Sequence, residues 1–153
     1  MKFTLSWLKD HLDTDKDLDT IVEKLTNIGL EIESVEDKSK TYSDFTVAEV
    51  LKAEKHPDAD RLKVCTVKSI NGTFQVVCGA PNARQGMKGI FAPENSFIPG
   101  TGFKLKKSKI RGVESCGMLV SEREMGISDE HEGIIEVDSK YSLGEKFIEV
   151  FNL

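Results

Sequence analysis

Apolar residues in this chain recur with two different periods. Leu18, Ile21, Val22, Leu25 and Ile28 fall at intervals of 3, 1, 3 and 3, one stripe of an amphipathic helix. Asp15 or Asp17 stands where that helix would be capped, and Gly29 where a left-handed C-terminal cap is expected. A shorter helical turn, capped by Ser6, is predicted through Trp7 to Leu12. Leu30, Ile32 and Ser34 then alternate with Glu31, Glu33 and Val35, the period of a strand. One helix and one strand cannot close a core. This piece therefore packs on later residues of the chain or on a partner outside it.

The polar stretch Asp37–Asp44 is a predicted linker dividing residues 1–40 from residues 41–150, and beyond it the period falls to two. Phe45–Ala53 predicts a strand. His56-Pro-Asp-Ala-Asp60 predicts a turn, because the residue before proline is pushed to extended geometry and Asp caps turns. Leu62–Ile70 is the next strand, with Leu62 and Val64 on one face and Cys65 and Val67 on the other, which implies a bulge in it or burial on both sides. Asn71-Gly72 marks a two-residue hairpin, and Thr73–Gly79 its return, with Phe74, Val76 and Cys78 on one face. Met87–Ala92, Met118–Ser121 and Gly133–Val137 complete the strands; Glu122–Met125 is one helical turn closed by Gly126, and Gly144–Phe151 a terminal helix or turn. Some five short strands within about 80 residues imply a mainly β unit, a small closed barrel.

Charge adds a direction to this picture. Residues 1–44 carry 6 Lys/Arg and 11 Asp/Glu, residues 45–120 carry 12 and 6, and residues 121–153 carry 3 and 9, so the net −5 conceals a basic middle. Five cations lie in Lys104-Leu-Lys-Lys-Ser-Lys-Ile-Arg111 with no acid among them. In an extended chain Lys107, Lys109 and Arg111 share one face, and Lys104 and Lys106 the other. Two readings stand: an arm that tracks a polyanion, or a solvated edge strand blunted by lysine. Cys65, Cys78 and Cys116 are odd in number and far apart, which fits free thiols in a reducing cytoplasm rather than a disulfide framework or a zinc site. No apolar run approaches the roughly 20 residues of a membrane span, and the charges within Met1–Asp10 do not fit a signal peptide. The expectation is a cytoplasmic protein with no membrane partner.

Four segments carry a resemblance. Val47-Ala-Glu-Val50, His56-Pro-Asp-Ala-Asp-Arg-Leu62, Val76-Val-Cys-Gly-Ala-Pro-Asn82 and Lys109-Ile-Arg-Gly-Val-Glu-Ser-Cys-Gly-Met118 stand in the order found in tRNA-binding OB-fold domains. Such domains occur in the bacterial phenylalanyl-tRNA synthetase β subunit, in some methionyl-tRNA synthetases and as free-standing proteins. The opening Phe3-Thr-Leu-Ser-Trp-Leu-Lys-Asp-His-Leu12, with Ile28-Gly-Leu-Glu31, resembles the start of that β subunit in particular. The resemblance implies a five-stranded OB barrel inserted into a split N-terminal domain. Residues 1–40 would be the first part of that domain, and residues 151–153 the start of the return to it. It further implies a ligase that charges tRNA with phenylalanine using ATP and magnesium, as an (αβ)₂ assembly with an α subunit. In that family the charging site lies in the α subunit and the editing site later in β, so no catalytic residue, metal site or cofactor is expected in this fragment. The sequence agrees: it has no P-loop, no paired metal-ligand motif and no nucleophile elbow, since Val113-Glu-Ser-Cys-Gly117 lacks the first glycine.

An OB barrel binds nucleic acid through a cationic groove and stacking rings. The charged candidates are Arg61, Lys63, Arg84, Lys88, Lys104, Lys106, Lys107, Lys109 and Arg111, with Asn82 and Ser115 as hydrogen-bonding groups to RNA. Phe74 and Phe91 lie on strands and read as core, whereas Phe97 and Phe103 flank the basic arm and read as stacking candidates. His11 reads as surface, His56 as part of the His-Pro turn, and Gly112 and Gly117 as backbone turns or close packing. Two functions of different classes stand. One is an RNA-binding module of the synthetase or a free-standing relative; the other is a packing module with little affinity for tRNA.

Overall fold

The computed structural model describes all residues, Met1–Leu153. They form two compact units, Met1–Asp37 and Lys38–Leu153. In the first, α1 (Leu5–His11) is capped not by Ser6 but by Thr4, whose hydroxyl accepts the Trp7 N–H at 3.2 Å. Helix α2 (Leu18–Asn27) starts at Asp17, whose carboxylate accepts the Thr20 N–H at 2.8 Å. It ends as the glycine predicts. Gly29 takes φ +92°, its N–H reaches the Thr26 carbonyl and that of Leu30 reaches Leu25, a complete Schellman closure. The strand expected over 30–34 does not form, because a strand is held by its ladder and no other strand of this chain pairs with it. No residue of this unit is buried, and Phe3, Trp7, Leu12, Ile28, Leu30 and Val35 all stand exposed.

The second unit opens with α3 (Lys38–Thr41), where the sequence predicts a linker. The reason is Tyr42: buried beside Phe147 at 5.0 Å between ring centres, it donates its hydroxyl to the Met125 carbonyl at 2.9 Å. Strands β1 (Thr46–His56), β2 (Ala59–Ser69) and β3 (Gly72–Cys78) form two successive hairpins. The first turns on Pro57 and Asp58 as predicted. The second turns on Ile70 and Asn71, one residue earlier than the Asn-Gly pair suggests, since Gly72 (φ +135°) already pairs with Ser69. The β1–β2 ladder is irregular on both strands: Val50 pairs with Val67 and Lys52 with Thr66, leaving Leu51 of β1 over, and Lys55 pairs with Lys63 and His56 with Ala59, leaving Asp60, Arg61 and Leu62 of β2 over.

Strand β4 (Lys88–Ala92) lies against β1. Next come β5 (Phe97–Ile98) paired with β6 (Phe103–Lys104), then β7 (Ser108–Ile110) paired with β8 (Val113–Ser115), and then β9 (Met118–Leu119) against β4. Helix α4 (Glu122–Met125), β10 (Glu136–Val137) and α5 (Phe147–Val150) complete the unit. Ser121 and Glu124 form a reciprocal capping box on α4, and Gly126 closes it at φ +71°. The sheet runs β10-β4-β1-β2-β3, with β9 on β4. This is the mainly β, OB-type barrel expected, but its ladder does not close. Between β3 and β8 the gap is bridged by the Cys116 N–H to the Gln75 carbonyl at 2.8 Å and by the Ser115 hydroxyl, which accepts the Val77 N–H at 3.0 Å.

Val47–Val50 of β1 and Gly89–Ala92 of β4 lie between two cores. Ala48, Val50 and Phe91 face the barrel interior with Cys65, Val67, Val76 and Leu119. Phe45, Val47, Ile90 and Ala92 face a second core made with Tyr42, Met125 and Phe147. Two-sided burial explains why these strands read as near-continuous apolar runs. Gly117 (φ +95°) lets the chain cross the inner core, because a Cβ there would stand 2.5 Å from the Phe91 ring. Phe74, half-buried, stacks on Phe91 at 5.2 Å.

Candidate nucleic-acid interface

The basic arm is not one extended row. Leu105 is buried and anchors it between β6 and β7, and the chain then folds into the β7–β8 hairpin. Arg111 and Gly112 form the turn at φ +48° and +84°, left-handed at both positions as a two-residue hairpin with native twist requires. The alternation that placed Lys107, Lys109 and Arg111 on one face therefore ends at Ile110. Lys107 instead pairs with Glu114 at 3.4 Å, which raises its pKa, first through that hydrogen bond and then through charge.

Six of the eleven predicted contact residues spend their polar groups inside the fold. The Lys63 ammonium donates to the Pro81 and Ala83 carbonyls at 3.2 and 2.6 Å. Asn82 clamps Ile134 from both sides, donating to its carbonyl at 2.8 Å and accepting its N–H at 3.0 Å. Arg84 grips Glu136 with both guanidinium nitrogens, at 2.7 and 2.9 Å. That grip, first among the causes, holds the Glu136 carboxyl below its ordinary value. Lys88 donates to the carbonyls of Ser139 and Tyr141 at 2.9 and 2.7 Å. Together these four tie the 80–86 loop and β4 to β2 and the β10 segment. Lys107 is the fifth. Ser115 is the sixth, and the expectation that its hydroxyl faces RNA is corrected: it is buried and committed to Val77 and Gly117.

Five candidates remain exposed and make no ion pair or side-chain hydrogen bond: Arg61, Lys104, Lys106, Lys109 and Arg111. His56 gathers three of them, Arg61, Lys109 and Arg111. This buried ring stands at the end of β1; its Nδ1 accepts the Asp58 N–H at 3.0 Å, so its Nε2 carries the proton given to the Ile110 carbonyl at 2.9 Å. The bond stitches the β1–β2 turn to the β7–β8 turn and brings Arg61, two residues beyond Ala59, to the same end of the barrel as Lys109 and Arg111. Phe97 and Phe103 stand exposed on the neighbouring β5–β6 hairpin. Unpaired cations beside exposed rings suit a polyanion that carries flat bases.

The model of the family described as "Putative tRNA binding domain" matches residues 45–146. The chain belongs to this tRNA-binding domain family. It is 57% identical to the phenylalanine–tRNA ligase β subunit of Mesorhizobium japonicum over 96% of its own length and 18% of that protein. The corresponding figures for the same subunit of Paramagnetospirillum magneticum are 53%, 99% and 19%. The chain thus spans less than a fifth of the length of these curated relatives. Among solved structures, a MetRS related protein from Pyrococcus horikoshii superposes with a TM-score of 0.53 at 25% identity, over 74% of this chain and 97% of that one.

Within this tRNA-binding domain, reading the sequence missed His56 as the organiser of the basic end. Its signal was local, a His-Pro turn, whereas its partner lies 54 residues away. Gly100 was also passed over. Its N–H meets the Glu124 carbonyl at 2.7 Å, and a Cβ there would collide with the Arg123 carbonyl, so glycine is what docks the β5–β6 turn onto α4.

Proposed function

We propose that this chain is the tRNA-binding module of a phenylalanine–tRNA ligase β subunit. It would hold tRNA while the full assembly, with its α subunit and the rest of β in an (αβ)₂ arrangement, charges it with phenylalanine. The observation that carries this reading is a set of five unpaired cations, three of them gathered at the His56-stitched end, in a domain of the tRNA-binding family. Residues 1–37, which bury no side chain, support the further reading that they belong to a split domain completed outside this chain. ATP and magnesium serve the proposed ligase, but these residues do not fit them. No three His, Cys, Asp or Glu side chains converge as metal ligands, and the cleft beside Asn82 and Ile134 is lined by Glu122, Glu130, Glu132 and Glu136, which repel a triphosphate. On this proposal, the charging chemistry falls to the remainder of the assembly.

The test is a filter-binding titration of the chain with tRNA at low salt. Saturable binding is expected; no binding up to about 100 µM, the weak end of ordinary non-specific affinity, refutes the proposal and leaves a packing role. The same preparation is expected to give no phenylalanine-dependent ATP–pyrophosphate exchange.

A further inference from the structure

We propose that Phe97 and Lys104 form a seat for one unpaired nucleotide, the base on the ring and its phosphate on the ammonium. The inference rests on the RNA-binding reading above and names the part of an RNA that the surface takes.

Among residues 38–153 the aromatic rings are mostly spent on cores: Phe45, Phe91 and Phe147 are at most 2% exposed. Phe97 and Phe103 are the exceptions, at 56% and 57%. Exposure on a mobile loop would mean little, but this ribbon is pinned at every side. Ile98 and Leu105 are buried beneath it. The Asn95 N–H reaches the Leu105 carbonyl and the Leu105 N–H the Ser96 carbonyl, both at 2.8 Å, and the Gly102 N–H closes the turn on Ile98 at 2.9 Å. Its tip is held on α4 through Gly100. A ring held this way loses little freedom when a base covers it.

The register supplies the rest. Phe97 pairs directly with Lys104, so the two side chains leave the same face of the ribbon with Cβ atoms about 5 Å apart. That spacing lets a ring-stacked base set its own phosphate beside the ammonium. Lys104 makes no ion pair, and Lys106, also unpaired, continues the cationic track. A base within a duplex cannot present its face, so the occupant is a nucleotide from a loop, bulge or end.

The test uses the full chain with a short oligouridylate and with a blunt RNA duplex of equal length, each titrated at several salt concentrations. Phe97→Ala is expected to weaken oligouridylate binding about 5- to 150-fold without changing its salt slope, and to leave duplex binding unchanged. Phe97→Tyr is expected to restore binding, and Phe97→Leu is not. Lys104→Ala is expected to lower the slope by about 0.7. Unchanged oligouridylate affinity in Phe97→Ala overturns the seat while leaving the RNA-binding module standing, as does equal rescue by Leu and Tyr. Failure of the wild-type chain to bind either RNA or tRNA overturns both.

Discussion

His56 offers a way to separate a local turn from a long-range tie, because its two nitrogens do different work. Asn places an acceptor near the position of Nδ1 and so keeps the Asp58 N–H bond, but it is too short to reach Ile110. Gln places a donor near Nε2 and keeps the Ile110 bond while losing the turn. Each lost bond costs about 0.5–1.5 kcal/mol, and a buried group left without a partner about 1–3 kcal/mol. Either single loss then amounts to about 1–3 kcal/mol, a fall of about 3–10 °C in midpoint for a chain of this size. His56→Phe loses both bonds and is expected to fall furthest. Thermal denaturation followed by circular dichroism measures these changes. Binding of tRNA separates the two conservative variants. If the tie to Ile110 holds Lys109 and Arg111 beside Arg61, the Asn variant loses their two contacts and its salt slope drops by about 1.4, whereas the Gln variant keeps the wild-type slope. Equal slopes in the Asn and Gln variants would refute this account of how the basic end is assembled.

Three further outcomes follow from the geometry. Lys107→Ala is expected to leave the salt slope for tRNA nearly unchanged, because its charge is taken by Glu114, whereas Lys109→Ala removes about 0.7; equal effects would show that the pair opens in the complex. Gly117→Ala is expected to cost at least about 3 kcal/mol in urea unfolding, combining left-handed strain with a clash against Phe91, and a loss under about 1 kcal/mol would contradict the packing described. Arg84 holds the Glu136 carboxyl below its unfolded value, so the stability this adds is present above the ordinary carboxylate range and lost as pH falls through the lowered value. The midpoint gap between wild type and Arg84→Met should accordingly close on acidification, and a gap independent of pH would falsify the linkage.

What could be read from the sequence was what local chemistry settles. The 3.6-residue stripe of α2, a cap at one of its two candidate aspartates and its Gly29 closure needed only neighbouring residues, as did the His-Pro turn and the Gly126 closure of α4. Strand alternation placed β1 to β4 within three residues at each end, although extra residues fell on both β1 and β2, which periodicity cannot apportion between partners. The expectation over 30–34 failed for a related reason: alternation signals a half-buried face, but the ladder comes from elsewhere. Tyr42 was hidden inside a polar run, and its burial became visible only with Phe147 and Met125 beside it. In the candidate site, the cations were legible and their fates were not. The groups that absorb Lys63 and Lys88 are backbone carbonyls of Pro81, Ala83, Ser139 and Tyr141, which every sequence possesses and none advertises. The left-handed Arg111 gave equally little warning, since its conformation comes from the twist of the hairpin it closes.

The second core has a consequence for how such a unit can be carried. Tyr42 lies against Phe147, the Phe147 N–H reaches the Phe45 carbonyl at 3.0 Å, and Thr46 bridges to Lys146. Entry and exit of the barrel thus share a single doorway. A polypeptide that accommodates the unit need only leave two neighbouring attachment points, and its closure entropy is that of a short loop rather than of more than a hundred residues. The same doorway makes the ends joinable: linking them and opening the chain at the exposed Asn71 turn should return the same barrel in a permuted order.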